Sequence, residues 1–490
     1  MINLQLLTLL LPVITSIVSV NWIFFKILII AKQKGLVDNP NARKLQKTPV
    51  PVLGGLAVVF GLMVGMATYF AVCKYMDIPI NTLGTSLLPV MLCCSMMLYV
   101  GSLDDIFGLT AKSRLLIEVL TMLLLILGSG LCVDSFHGLW GIYNFKWWIA
   151  VPLTVFAGVG IINAYNMVDG VNGLSSGLCI ISSVILGVIC YKRQDMADSA
   201  LAFCFAASLV PFLIRNVFGK RSKMFIGDGG TMVMGLLVSW FMIRILSSAN
   251  AVTLITLASK GCELGLLAMM LAVASVPVFD TLRVMTGRII RGRSPFKPDK
   301  THLHHVFIAI GVSHSITALS EIIINVLVCA IWYVSYKMGL GVDVQLYIVV
   351  LSAMLLVWGM YFFLNRIVYK YPNSPIYKWA RVTHLGHTTW WLSFQSWLDK
   401  GAFEDYSVII NKKPEEMDSK EKDTIMIVNY LQGKNAVKVE DIITESGAKK
   451  LRVYLILSEL EQLELITVLD STPLGEPLKV KINTNTLNKM

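Results

Sequence analysis

Residues 147–191 read WWIAVPLTVFAGVGIINAYNMVDGVNGLSSGLCIISSVILGVICY. Two apolar runs, 147–163 and 174–191, flank a short block rich in Asn, Asp and Gly. A helix needs about 17–25 predominantly apolar residues to cross a bilayer, and each run reaches that range. The block between them gathers the polar groups that hydrocarbon penalises most. The pattern predicts two spanning helices joined by a chemically dense turn.

Working outward, the same apolar periodicity predicts eleven spans: 3–30, 52–73, 83–102, 115–133, 147–163, 174–191, 197–214, 231–248, 262–280, 315–336 and 345–365. Composition agrees. Charged residues make up 15% of the 490-residue chain, against about 25% in soluble domains, and the mean hydropathy is +0.67. These values exclude a soluble enzyme and a disordered chain. The chain reads as an all-α polytopic membrane protein with a small appended domain. The first apolar stretch is too long for a signal-peptide core, and no positive charge precedes it. Nine cysteines lie in or beside apolar segments with no CxxC pair, so neither a disulfide framework nor a zinc site is expected.

Positive charge orients the spans. Loops one, three, seven and nine hold Lys32, Lys34, Arg43, Lys44 and Lys47; Lys112 and Arg114; Arg215, Lys220, Arg221 and Lys223; and Arg283, Arg288, Arg291, Arg293, Lys297 and Lys300. The even loops are poor in Lys and Arg. Cytoplasmic loops carry this excess, so the N-terminus is expected outside and the C-terminus inside. The net charge of +11 then reflects topology, not a nucleic-acid partner.

The unusual carboxylates fall in the odd loops. Asp104 and Asp105 close the third span; Asp169 lies among Asn163, Asn166 and Asn172; Asp228 opens the eighth span; and loop nine carries His302, His304 and His305. Taken singly, each has a plain reading: a solvated helix end, turn chemistry, or an Asp cap. Together, acidic sites on one face beside a basic loop suit a polyanionic substrate held with Mg²⁺, since carboxylates favour hard cations. Glycines beside Asp169 and Asp228 are expected to admit a ligand close to the backbone, and helix N-termini after these loops supply anion donors. A secondary transporter is the contrasting class, but it calls for broken-helix repeats with carboxylates near the midplane.

LVDNPNARKLQKTPVPVLGG (36–55), LDD (103–105), NAYNMVDGVNGL (163–174), FIGDGG (225–230) and SPFKPDKTHLHH (294–305) resemble, in this order, the polyprenyl-phosphate N-acetylhexosamine-1-phosphate transferase family. The histidine motif is most similar to that of bacterial undecaprenyl-phosphate GlcNAc-1-phosphate transferases of the WecA type. The resemblance implies transfer of GlcNAc-1-phosphate from UDP-GlcNAc to undecaprenyl phosphate, giving GlcNAc-diphospho-undecaprenol and UMP. Another UDP-N-acetylhexosamine and UDP-MurNAc-pentapeptide are the alternatives. The resemblance also implies a bacterial inner-membrane enzyme with a cytoplasmic site, Mg²⁺ (or Mn²⁺) as cofactor, and a homodimer. Carried over by motif, Asp228 is the principal metal ligand, with Asp169 and Asp104 beside it. Asp104 and Asp105 are the activating carboxylates. Lys47, Asn166, Asp169 and Asn172 belong to the nucleotide region and Lys112 to the lipid phosphate. Arg288, Arg291, His302, His304 and His305 belong to an anionic pocket. Asn172 stands where the family commonly has Asp, which removes a charge there.

The predicted domains are 1–370, the transferase; 371–423, an interfacial aromatic segment and charged linker; and 424–490, a cytoplasmic module. In the last, 424–432, 438–445 and 448–464 read as helices, with Leu451, Leu455, Leu460 and Leu463 on or near one face. Residues 465–481 read as a hairpin. The pattern resembles a winged helix. From 412 to 490 there are 12 Lys/Arg and 13 Asp/Glu, which argues against DNA binding and for a protein partner.

Overall fold

The computed structural model describes residues 2–38, 49–78, 83–248, 263–295, 300–371, 374–382, 394–395, 397–399, 419–434, 436–462, 465–471 and 477–483. Contacts divide it into two compact units. The first comprises Met1–Ile23, Gly54–Val217 and Ile226–Gly386; the second comprises Phe24–Leu53, Phe218–Phe225 and His387–Met490.

The helices are α1 (Ile2–Gln33), α2 (Gly54–Tyr75), α3 (Leu83–Phe107), α4 (Ala111–Ser129), α5 (Trp147–Met167), α6 (Leu174–Lys192), α7 (Met196–Phe218) and α8 (Gly227–Leu246). They continue as α9 (Leu266–Val273), α10 (Ser275–Ile290), α11 (Leu303–Ile310), α12 (His314–Lys337), α13 (Val342–Lys370) and α14 (Pro375–Val382). Among the described residues, nine helices are long and apolar enough to cross a membrane, or ten if one bent pair counts as a span. The protein is a multi-pass membrane protein. The eleven-span expectation differs from this at two places. Segment 115–133 corresponds to α4, whose first turns carry Lys112, Arg114 and Glu118. Segment 262–280 is broken: α9 and α10 meet at a bend of 78°.

Helix α8 is the centre of the first unit. Every residue from Gly229 to Leu246 is buried, and the helix packs chiefly against α3 and α5, then α2. Without water to drive association, membrane helices pack closely through small residues. A Cβ on Gly101 of α3 would lie 2.3 Å from the Gly229 Cα, and one on Gly55 of α2 would lie 2.6 Å from the Gly230 Cα. Gly229 and Gly230 of the GDGG motif thus admit the neighbouring helices α3 and α2.

At the other end of α8, Arg244 is shared between two buried carboxylates. Its Nη2 lies 2.7 Å from Asp195 Oδ2, and its Nε contacts Asp198. Trp240 Nε1 donates to Asp198 Oδ1 at 2.8 Å, and Arg193 Nη1 donates to the Arg244 carbonyl at 3.1 Å. A buried ion pair is tolerated when its remaining lone pairs and protons are satisfied in this way.

In the second unit, β1 (Val37–Asp38) pairs antiparallel with β2 (Val50–Pro51). Further along, α15 (Ser419–Leu431), β3 (Val437–Lys438), α16 (Val439–Ser446), α17 (Lys450–Gln462), β4 (Ile466–Ser471) and β5 (Pro477–Ile482) follow in order. They share a core of their own, including Ile427, Ile442, Val453, Ile456, Leu457, Leu460 and Val480. On α17 the core positions recur at helical spacing. Strand β5 lies between β3 and β4, antiparallel to both. The three predicted helices and the hairpin correspond to these elements. Two details differ. Helix α15 starts at Ser419, inside the segment expected as linker, because SKEKD supplies good helix formers. Strand β3, only two residues long, leaves no alternation to read. Leu460 is in the core, while the side chains of Leu451, Leu455 and Leu463 lie outside the described residues.

Overpacking a close helix contact costs about 1–3 kcal/mol. Gly101→Ala should therefore lower the thermal unfolding midpoint of the detergent-purified protein. Gly160→Ala is the control, since a Cβ there meets nothing within 4 Å. Equal midpoints for the two variants would show that the α3–α8 seam can open freely.

Candidate active site

The site is built where α3 ends and α8 begins. Both Asp105 carboxylate oxygens accept from the Asp228 backbone N–H, at 3.1 and 2.9 Å. The first amides of a helix have no partner within it, and a carboxylate there also meets the positive end of the helix dipole. Asp105 thus caps α8 from a different helix. Its neighbour Asp104 accepts from the Leu109 N–H at 2.6 Å and from Arg114 Nη1 at 3.2 Å. Asp104 and Asp228 carboxylates stand within hydrogen-bonding reach of each other. The Arg114 guanidinium lies between them, 3.8 Å from Asp228 Oδ2.

Helix α5 supplies the other wall. Asn166 Nδ2 donates to Asp228 Oδ1 and to Thr231 Oγ1, both at 2.8 Å. One turn earlier, Asn163 Nδ2 donates to Glu118 Oε2 at 2.5 Å, and Glu118 Oε1 lies 3.9 Å from Arg114 Nε. The turn after α5 carries Asp169, which accepts from the Ser175 hydroxyl at 2.5 Å. Asp169 is open to solvent on one side. The protein packed round the rest of its carboxyl raises it to about 6; the Ser175 hydrogen bond opposes this and the Asp228 charge adds to it.

The histidines reach the same turn. A Cβ on Gly170 would lie 2.1 Å from His304 Nε2, so only glycine fits there. The ring centroids of His302 and His304 are 5.5 Å apart and nearly parallel, and those of His304 and His305 are 4.4 Å apart. His302 Nδ1 is 2.7 Å from Asp280 Oδ2. The other Asp280 oxygen accepts from Arg283 Nη2 at 2.7 Å and from the Leu303 N–H at 3.2 Å. Arg283 also lies over the Tyr361 ring at 3.5 Å, just past a π-helical turn over Met354–Gly359, a distortion common near functional sites.

The structure thus gathers Asp104, Asp105, Asn166, Asp169 and Asp228, and sets His302, His304 and His305 against the Asp169–Gly170 turn. Asn172 is half-buried in that turn. Lys112 is exposed at the start of α4. Arg288 is buried and donates to the Pro295 carbonyl at 2.5 Å. Arg291 donates to the Gly287 carbonyl of its own helix at 2.7 Å, a contact that ties it to no other site residue. Lys47 lies outside the described residues. The partners that the sequence reading missed are Glu118, Asp280 and the bridging role of Arg114. The available signal was an ionisable residue inside an apolar segment, which is expensive unless paired or functional.

Among the described residues, no group of three or more His, Cys, Asp or Glu forms a ready metal cage. Mg²⁺ commonly takes one or two carboxylates plus substrate phosphate oxygens. The facing Asp104 and Asp228, with oxygen-only donors, meet that description. Asp105, Glu118 and Asp169 also act electrostatically on this pair or are acted on by it. Among the described residues Arg114 alone pairs with Asp104 and Asp228, so the cluster carries excess negative charge that a cation would relieve.

Burial, and next the neighbouring His305 and His302, hold His304 well below the usual histidine range. The unfolded chain takes up a proton near pH 6.5, where the folded protein keeps His304 neutral. This contribution to stability is therefore complete above about pH 6.5 and is lost as pH falls below it, by up to about 1.4 kcal/mol per pH unit. Thermal unfolding midpoints between pH 7.5 and 5 should fall, and His304→Gln should flatten that slope. An unchanged slope would mean that another group titrates.

Comparison with known proteins bears out the family resemblance. The glycosyl transferase family 4 profile matches residues 87–246, which hold both the α3 carboxylates and Asp228. The chain is similar to a probable undecaprenyl-phosphate N-acetylglucosaminyl 1-phosphate transferase of Bacillus subtilis (strain 168), with 31% identity over 291 residues, 59% of this chain and 74% of the relative. It is also similar to undecaprenyl-phosphate alpha-N-acetylglucosaminyl 1-phosphate transferases of Yersinia pestis, 28% identical over 286 residues, 58% of this chain and 72% of the relative, and of Escherichia coli (strain K12), 28% over 291 residues, 58% and 71%. The chain belongs to glycosyl transferase family 4, and within it to the polyprenyl-phosphate N-acetylhexosamine-1-phosphate transferases.

Proposed function

We propose that this phosphoglycosyltransferase moves GlcNAc-1-phosphate from UDP-GlcNAc to undecaprenyl phosphate and releases UMP, opening a cell-surface glycan pathway at the cytoplasmic face of a bacterial inner membrane. The names of the relatives support both substrates, and the Lys/Arg bias of the odd loops supports the N-out, C-in orientation. Assembly as a homodimer is part of the same proposal.

One observation carries the assignment of roles. Asp105 is engaged with the amide of α8, and Asp104 with Leu109 and Arg114. Asp228 faces the Asp104 carboxylate, with Arg114 3.8 Å from its Oδ2, and two facing carboxylates are the oxygen donors that a divalent cation would relieve. We assign Asp228, with Asp104 and Asp169, to Mg²⁺, for which Mn²⁺ can substitute. When bound, the ion neutralises diphosphate oxygens and eases departure of UMP. Asp104 orients the attacking lipid phosphate, and Asp105 acts through the position of Asp228. Direct attack on the β-phosphorus suits an acceptor that is already a phosphate dianion. Asn166, Asn172 and Lys47 face the nucleotide in this reading, and Lys112 the lipid phosphate. Arg288, Arg291 and the three histidines line the anionic side.

Residues 419–483 have the element order and strand order of a winged helix, with net negative composition. We assign this module to a cytoplasmic protein partner, with no nucleic acid.

Membranes supplied with labelled UDP-sugars and undecaprenyl phosphate should yield GlcNAc-diphospho-lipid. A different labelled hexosamine in the product would reassign the sugar, and no lipid product would sink the reaction. Asp228→Asn should lose about 10²–10³ in kcat, as single electrostatic groups do. Asn172→Asp should stay near wild type while Asp169→Asn does not; equal losses would show that the Asn172 position is tuned to a neutral side chain. Removing 412–490 should leave the rate within about threefold, because the segment supplies none of the site residues named above and has a core of its own. An inserted but inactive truncation would place the module in the active site.

A further inference from the structure

Arg114 stands between carboxylates that α5 holds in place. Its Nη1 lies 3.2 Å from Asp104 Oδ2 and 3.8 Å from Asp228 Oδ2. Its Nε lies 3.9 Å from Oε1 of Glu118, one turn further along α4. On α5, Asn166 donates to Asp228 and to Thr231. Asn163, one turn earlier, donates to Glu118 Oε2 and to the Val159 carbonyl, the latter at 3.0 Å. Both asparagine side chains are thus fully engaged as donors, and each fixes one carboxylate beside Arg114.

Glu118 is expensive where it stands. It is 1% exposed, and an ionisable group in an apolar segment is costly unless paired or functional. Joining α4 to α5 needs only a neutral acceptor for the Asn163 amide. A carboxylate adds charge, and Arg114 is the cation it meets; Asp104 and Asp228 are the other charged groups that act on it. On an open helix surface an Arg–Glu pair four residues apart contributes little. Here one partner is buried and is held by a second helix, so the pair can orient the guanidinium. An arginine side chain has much rotamer freedom to lose, and that of Arg114 is still 26% exposed.

We propose that Glu118 is a positioning residue for Arg114: held by Asn163, it anchors the guanidinium at Nε and so keeps Nη1 directed at the Asp104–Asp228 pair. The proposal rests on the reading of Asp104 and Asp228 given above. Asp104, Arg114, Glu118, Asn163 and Asp228 all belong to the first unit. The two asparagines of α5 then act as a rack. One fixes the carboxylate at the reacting centre, and the other fixes the carboxylate behind the arginine. The plainer reading, in which Glu118 only joins α4 to α5, makes the opposite forecast for its isosteric amide.

The test uses the full-length protein in detergent, as wild type, Glu118→Gln and Asn163→Ala. Glu118→Gln keeps an acceptor for the Asn163 amide and removes the charge, so a mere helix joint would leave it like wild type. Nitrogen-15 relaxation of the Arg114 Nε–H, assigned by its loss in Arg114→Lys, reads the anchoring directly. Its order parameter should lie near about 0.85 in wild type and drop below about 0.6 in Glu118→Gln. With UDP-GlcNAc and undecaprenyl phosphate, kcat per folded molecule should fall by about ten- to a hundredfold, as misplacement near the reacting centre does, with KM within about threefold. The gap in kcat should narrow between about pH 8.5 and about pH 5.5, as Glu118 of the wild type takes up a proton and comes to resemble the amide. Asn163→Ala leaves the charge but loosens it, so its losses should be smaller and in the same direction; it stands in where Glu118→Gln fails to fold. An unchanged order parameter, a wild-type kcat in Glu118→Gln, or a gap that pH leaves constant overturns the proposal. A wild type that makes no lipid product defeats the transferase reading instead, and the order parameter then decides the Glu118 contact alone.

Discussion

The Asp228 amide is held by both oxygens of Asp105, at 3.1 and 2.9 Å, and much of the site depends on that contact. It joins the C-terminal end of α3 to the first turn of α8 and satisfies an amide that the helix itself cannot. Because Asp104 precedes Asp105 on the same turn, fixing one carboxylate fixes the other beside Asp228. The contact is possible only because the two backbones approach closely, with Gly101 against Gly229. Removing the side chain on both sides of that seam is what brings an anionic cap within reach of the helix.

This division of labour was not legible in LDD. Consecutive helical residues point about 100° apart, and the sequence does not say which of two aspartates meets a neighbouring helix. Both were read as catalytic; packing shows in addition that Asp105 caps α8. The glycines of the GDGG and DG motifs were read as room for ligand; packing gives Gly229, Gly230 and Gly170 a further reason, since they admit α3, α2 and His304. What the motifs did convey was adjacency. Asp104, Asn166, Asp169, Asp228 and the histidine run, spread over some two hundred residues of sequence, do come together. Glu118 and Asp280 were hidden because each sits singly in an apolar segment, without a motif around it.

The C-terminal module was more legible than the membrane part, for a physical reason. A soluble core imposes a spacing of apolar positions that sequence preserves, as in Val453, Ile456, Leu457 and Leu460. In the membrane unit both buried and lipid-facing positions are apolar, so hydropathy marks the spans but not their faces. Hydropathy alone gave no sign of the 78° break between α9 and α10; the available signal was Pro277, which has no N–H for the Val273 carbonyl, a group that accepts from Ser182 and Asn325 instead.

The two ends of α8 show how one helix serves both stability and chemistry. At Arg244 the charges are closed: one guanidinium meets two carboxylates, and Trp240 takes a remaining lone pair. At Asp228 the balance is open: among the described residues, Asp104 and Asp228 converge on the one guanidinium of Arg114. Clustered anions of this kind cost folding energy unless a cation or a positively charged partner joins them. Asp105 and Asn166 fix the Asp228 carboxylate in place at that end, while the closed cluster anchors the other end of the same helix.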